Sequence, residues 1–186
     1  MLGLLILLAY LLGSLPFGLF AGWLAGKDIR KEGSGNIGAT NVVRVCGWRW
    51  GLPVFALDAL KGFAPVFWLA PLLLGTERAT LFQHQALTLV LAALAAILGH
   101  TFPVWLRFQG GKGVATSAGA LLALLPLPLA IAFAVFGLVL AASRYVSRGS
   151  MTASVALVAA HLGLSWRAGQ DPFSRAQLPL TVAAIL

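Results

Sequence analysis

Acidic residues, cysteine and histidine are all scarce in this sequence, and each scarcity removes a class of function. The single cysteine, Cys46, rules out an intramolecular disulfide. With no C-x-x-C pair or Cys/His cluster, neither a metal site nor another cofactor is expected. Of the three histidines, His84 reads as lying near one membrane surface and His161 falls inside an apolar run. Neither has an acidic or cysteine neighbour, so both read as packing or interfacial residues. His100 is followed by Thr101-Phe102-Pro103-Val104 with no aspartate close by, so the sequence offers no Ser-His-Asp arrangement and no HxxxxD acid/base pair. Asp and Glu number 5 against 13 Lys and Arg, a net charge of +8. In a soluble chain that balance would suggest nucleic acid. Here it has a different origin.

What the sequence has in abundance is apolar length. The 186 residues are 60% hydrophobic and 10% charged, with a mean hydropathy of +0.92. No soluble domain of this size hides so much apolar surface, so the fold class is an all-α polytopic integral membrane protein. Apolar runs near 2–24, 52–72, 80–99, 114–125, 127–142, 151–167 and 178–186 predict about seven transmembrane helices in a single membrane domain, 1–186, that stops inside its last span. No positive region precedes Leu2–Leu24, which reads as a first span and not a cleaved signal. The run at 114–125 is short for a crossing, at roughly 18 Å of helix, so its start is expected below the membrane surface in a polar recess. Pro126-Leu127-Pro128 reads as a tight helical hairpin.

Basic residues then orient the chain. Lys27, Arg30, Lys31, Arg44, Arg49, Arg107, Lys112, Arg144 and Arg148 fall in alternate loops, with Lys61 in the near half of a span; Arg78, Arg167 and Arg175 fall on the other side. The positive-inside rule puts the N-terminus outside and the C-terminus in the cytoplasm. No nucleic-acid partner is expected, membrane lipids are, and no protein partner is named by the sequence. Trp48, Trp50, Trp105 and Trp166 read as interfacial anchors.

Three polar clusters share the cytoplasmic side. The segment Gln109-Gly110-Gly111-Lys112-Gly113-Val114-Ala115-Thr116 sets glycines around a lysine just ahead of a helix-compatible run. Backbone N–H groups, the helix start and the ammonium suit an anion, phosphate above all. It is not a Walker A loop, because Arg107 stands at its first glycine and Gly113 follows the lysine. A flexible basic turn is the competing reading. The second cluster runs Lys31-Glu32-Gly33-Ser34-Gly35-Asn36-Ile37-Gly38-Ala39-Thr40-Asn41-Val42-Val43-Arg44. Asn41 and Arg44, three apart, would share a helix face, and arginine suits bidentate phosphate recognition; an ordinary flexible loop is the alternative. The third, Ser143-Arg144-Tyr145-Val146-Ser147-Arg148-Gly149-Ser150, is either a further anion contact or a basic turn with Ser150 as helix cap. Asp58 and Lys61, at i and i+3 inside an apolar span, are expected to form a supporting ion pair, with Lys61 reaching a substrate phosphate as the functional alternative.

These motifs resemble those of the PlsY family of bacterial acyl-phosphate:glycerol-3-phosphate acyltransferases. Ser34-Gly35-Asn36-Ile37-Gly38-Ala39-Thr40-Asn41-Val42-Val43-Arg44 is similar to the first family motif, Gly99-His100-Thr101-Phe102-Pro103 through Thr116 to the second, and Arg144 to Ser150 to the start of the third. Gln109 stands where the family commonly has lysine, and the family pattern continues into a cytoplasmic tail bearing His, Asn, Arg and Glu. The resemblance implies acyl transfer from acyl phosphate to the 1-hydroxyl of glycerol 3-phosphate, giving lysophosphatidate and phosphate, at the cytoplasmic face of a bacterial inner membrane. It implies that Gly110, Gly111, Lys112, Gly113 and Thr116 hold one phosphate. Ser34, Arg44 and Ser147, with Ser150 nearby, would hold the other, and Asn36 and Asn41 would orient them. Lys112, Arg44 and Ser147 are the expected catalytic contacts, with the donor's own phosphate taking the proton and His100 as the rival base. An anion transporter using the same loops is the alternative from another class; the sequence shows neither inverted repeats nor midplane sites for it.

Overall fold

The computed structural model describes residues 1–185, the side chains at positions 82, 83 and 146 excepted, so Leu186 at the end of the last expected span lies outside the described residues. Every regular element among them is helical. Four stretches are long and apolar enough to cross a membrane: Leu2–Leu24, Trp48–Leu74, Ala86–Leu106 and Pro126–Ser143. Leu7, Leu52, Leu98 and Phe133 are exposed along them, where lipid would cover them. Chain contacts divide the protein into two compact units, Met1–Glu77 with Leu91–Ala120 and Arg78–Val90 with Leu121–Leu186.

In the first unit, the leading span is two helices, α1 (Leu2–Gly13) and α2 (Phe17–Leu24). Pro16 has no N–H to continue the ladder, so the chain breaks at Ser14-Leu15-Pro16, where the Leu15 carbonyl accepts from Phe17 N–H at 3.1 Å. A polar loop leads to α3 (Ala39–Cys46) and, after Gly47, to α4 (Trp48–Ala64). That helix runs through a π-helical turn at Pro65–Leu69 into α5 (Ala70–Leu74), four residues earlier and two later than the apolar run alone marks. Helix α7 (Ala86–Thr101), which belongs to this unit from Leu91 on, leads to a 3-10 turn at Val104–Leu106 and then to α8 (Val114–Leu124), in this unit as far as Ala120 and short as its apolar run predicts.

Glycine sets how closely these helices approach. A methyl group on Gly13 would strike the Ala96 carbonyl, and one on Gly99 the Tyr10 carbonyl, so α1 and α7 touch backbone to backbone. The same holds for Gly62 against the Thr116 carbonyl and Gly119 against that of Ala59, joining α4 and α8. Small residues at crossings are how membrane helices gain close packing without a hydrophobic drive. Tyr10 Oη also donates to the Phe102 carbonyl at 2.7 Å. Trp50 is half-buried and packs on the Leu19, Ile29, Ile37, Val42 and Val54 core, whereas Trp48 and Trp105 are exposed.

The second unit holds α6 (Arg78–His84), α9 (Pro126–Ser143), α10 (Val146–Arg167) and α11 (Leu178–Ile185). The apolar run at 80–99 is broken at Gln85, between α6 and α7. Leu125 alone separates α8 from α9, and Pro126 and Pro128 sit in the first turn of α9, where missing N–H groups cost nothing. Arg144, in the left-handed region at φ 57°, closes α9. Helices α9 and α10 pack through Leu129, Ala132 and Leu157. His161 is buried, with Nε2 3.0 Å from Thr181 Oγ1. Because that hydroxyl donates to the Pro172 carbonyl at 2.7 Å, it accepts from His161.

Candidate functional site

The Gly-rich segment folds back on the end of α7. After Thr101 the chain makes the 3-10 turn and passes through Arg107 and Phe108, both in the left-handed region at φ 52° and 63°. It returns so that Gly110 N–H donates to the Thr101 carbonyl and Gly111 N–H to the His100 carbonyl, each at 3.1 Å. Carbonyls that a helix end leaves free are thereby satisfied. The return has room only for glycine: a side chain at Gly110 would strike the His100 carbonyl, and one at Gly111 the Nε2 edge of the His100 ring. Gly113, at φ 76°, then turns the chain into α8 and leaves Lys112 exposed ahead of it.

The other wall comes from α3 and the loop before it. Asn41 is 1% exposed and clamps that loop. Its Oδ1 accepts from Ser34 N–H at 2.8 Å, and its Nδ2 donates to the carbonyls of Ile29 at 2.9 Å and Glu32 at 3.2 Å. Both amide hydrogens are spent on backbone, so its local role is to shape the wall. Asn36 Oδ1 accepts from Gly38 N–H at 2.8 Å, an Asx turn that sets Gly38 as the cap of α3. Ser34 and Arg44 are exposed on this wall, and the helix puts Asn41 and Arg44 on one face. The preceding loop is tied by Arg30, whose guanidinium donates to both oxygens of Asp28 at 2.9 Å, and by Lys27 Nζ donating to the Val45 carbonyl at 2.7 Å.

Between the walls lies a cleft of about 260 Å³. It is lined by Ser34, Asn36, Asn41, Arg44, Asp58, His100, Lys112 and Gly113 together with Gly38, Ala39, Thr40, Phe55, Val114 and Ala115. Seven residues singled out as anion contacts or base, from motifs far apart in the chain, thus meet in one hollow. Gly110 and Gly111 support the loop from behind, and Thr116 is fully buried in α8 with a hydroxyl that finds no hydrogen-bond partner among the described residues. Ser147 and Ser150 belong to the second unit, inside the first turns of α10; the cap there is Tyr145, not Ser150, and the Arg148 guanidinium lies 4.8 Å from the Tyr145 ring centre.

The floor differs from the reading of the sequence in one respect. His100 has no aspartate near it in the chain, yet Asp58 Oδ1 lies 3.7 Å from His100 Nδ1, both side chains almost wholly buried. The same oxygen lies 2.8 Å from Lys61 Nζ, so the expected ion pair is present. Lys61 also donates to the Leu15 carbonyl at 2.8 Å and does not line the cleft. In the sequence Asp58 stands out by its charge within an apolar run and its spacing from Lys61; its meeting with His100 is set by the packing of helices, which one-dimensional spacing does not carry. Among the described residues no three His, Cys, Asp or Glu side chains gather as a metal would need. The cleft offers two cations, polar groups and loop amides, a set suited to binding an anion and fixing its orientation.

Comparison with known proteins points the same way. The family model described as glycerol-3-phosphate acyltransferase matches residues 3–186. A glycerol-3-phosphate acyltransferase of Desulfotalea psychrophila is 47% identical over 148 residues, 80% of this chain and 72% of the relative. One of Desulforamulus reducens is 51% identical over 150 residues, 80% and 70% of the two chains. The crystal structure of PlsY, an integral membrane glycerol 3-phosphate acyltransferase, in its glycerol 3-phosphate form superposes with a TM-score of 0.75 at 37% identity, covering 98% of this chain and 84% of that one. Its lysophosphatidic acid form gives 0.76 at 36% identity, covering 99% and 82%.

Proposed function

The chain belongs to the glycerol-3-phosphate acyltransferase family, and from that premise we propose that it acylates the 1-hydroxyl of glycerol 3-phosphate, with acyl phosphate as donor. The observation that carries the reading is the single cleft in which Arg44 and Lys112 face a shared hollow from two separate motifs. The hydroxyl oxygen attacks the acyl carbonyl, an ester C–O bond forms, the bond to the phosphate oxygen breaks, and lysophosphatidate and inorganic phosphate leave. A mixed anhydride has a good leaving group, so alignment and charge stabilisation carry most of the work. Lys112 with the amides around Gly113 holds one phosphate; Arg44 and Ser34 hold the other. The hydroxyl proton passes to the donor's phosphate. His100 is a poor rival as base, since its ring is 4% exposed, with Nδ1 toward Asp58 and the Nε2 edge against Gly111. We place the protein in a bacterial inner membrane with seven spans, the N-terminus outside and the cleft toward the cytoplasm, on the distribution of its basic residues.

Single-turnover transfer from palmitoyl phosphate to labelled glycerol 3-phosphate, with protein in lipid, tests this. Wild type forms lysophosphatidate, and Lys112→Ala loses about a hundredfold or more in rate. Phosphate flux across sealed vesicles without any acylated product would mean the transporter instead. His100→Ala separates the two proton routes: a fall of roughly several thousandfold with unchanged substrate binding would sink the substrate-assisted route.

A further inference from the structure

Asp58 is an awkward residue for an anion site to contain. It is 2% exposed and lines the same cleft as Arg44 and Lys112, so a phosphate bound there would meet a carboxylate as well as two cations. Away from water, like charges a few ångströms apart repel strongly. Lys61 answers that charge from behind. Its ammonium lies 2.8 Å from Asp58 Oδ1, outside the cleft lining, and its other contacts are the Leu15 carbonyl at 2.8 Å and the Phe17 ring, 5.5 Å from the centroid.

We propose that Lys61 is the charge-compensating residue of the cleft: it neutralises Asp58, so that Asp58 can face His100 without repelling a phosphate-bearing substrate. The break at Pro16 belongs to the same device, because the Leu15 carbonyl at that break, which also accepts from Phe17 N–H at 3.1 Å, is the second acceptor that fixes the ammonium one helical turn behind the carboxylate. His100 Nδ1, at 3.7 Å, is the other ionisable group within ion-pair distance of Asp58 among the described residues. The nearby loop charges are engaged with one another, Arg30 and Lys31 with Asp28 and Lys27 with Glu32. Lys61 therefore acts on substrate only through Asp58, as a positioning residue. The inference rests on the phosphate-binding reading of the cleft but not on acyl transfer itself.

The test is calorimetric titration of glycerol 3-phosphate, and separately of inorganic phosphate, into the full chain in lipid nanodiscs, with the melting temperature of each variant recorded. Lys61→Met is expected to weaken both ligands at least about tenfold, and Lys61→Met/Asp58→Asn to return both to within about threefold of wild type by removing the two charges together. A lower melting temperature with unchanged affinities would make the pair purely structural and overturn the proposal. So would a double variant that binds as weakly as the single one. If Lys61→Met fails to fold, Asp58→Asn alone decides: affinity equal to or above wild type supports compensation, and a tenfold loss overturns it. Wild type that binds neither ligand overturns it as well. A wild type that binds phosphate in a Lys61-dependent way yet transfers no acyl group would defeat the enzyme reading and leave this one standing.

Discussion

At residue scale the site depends on contacts that tolerate no added atom. Gly111 sits on the edge of the His100 ring, so Gly111→Ala must push aside either the imidazole or the turn that presents Lys112. The expected outcome is a loss of about a hundredfold in acyl transfer with a modest fall in melting temperature, since small misplacements of a binding group cost rate more than stability. Asn41 shows the opposite balance. Asn41→Ala strands the buried Ile29 carbonyl and the part-buried Ser34 N–H and Glu32 carbonyl, and the chain should lose about 2 kcal/mol in stability, seen as a lower melting temperature whether or not substrate is present. Its part as a clamp was not legible, because an asparagine in a Gly/Ser-rich stretch looks the same whether it faces ligand or backbone. Outside the spans, Arg30 donating to Asp28 holds that carboxyl below its ordinary value of 3.8. A lowered folded value means the stabilisation is present above the ordinary value and fades as pH falls through the lowered one. The pair is exposed, so Asp28→Asn should leave melting at neutral pH nearly unchanged and abolish only this small acid-side loss.

At the scale of elements, apolar runs announced the helices, and polar or proline residues announced where they stop. The shortness of α8 and the helix carrying Asn41 and Arg44 were both readable, the first from its length and the second from its spacing. The pairing of helices was not. Gly13, Gly62, Gly99 and Gly119 lie in apolar runs where their neighbours give no hint which backbone they will touch, and the meeting of Asp58 with His100 is equally invisible in the chain. A side chain forced into one should be costly: Gly119→Leu, driven onto the Ala59 carbonyl, is expected to destabilise the first unit by about 3 kcal/mol and to weaken glycerol 3-phosphate binding, both measurable on purified protein.

For the whole molecule, the lone cysteine gives a test of orientation that needs no engineering. Cys46 ends α3 and is half-buried on the side proposed to be cytoplasmic. An impermeant thiol reagent should label it in inverted membrane vesicles and spare it in intact spheroplasts; the reverse pattern would turn the chain over. The backbone-to-backbone seams at Gly13, Gly99, Gly62 and Gly119 have a broader implication. Where backbones touch at these glycines there is little compliant side-chain layer to stretch, so a thicker or thinner bilayer can tilt these helices but has little purchase on their spacing at those points. The proposed acyl transfer should accordingly vary little between vesicles of short-chain and long-chain lipid, a comparison made directly on reconstituted protein.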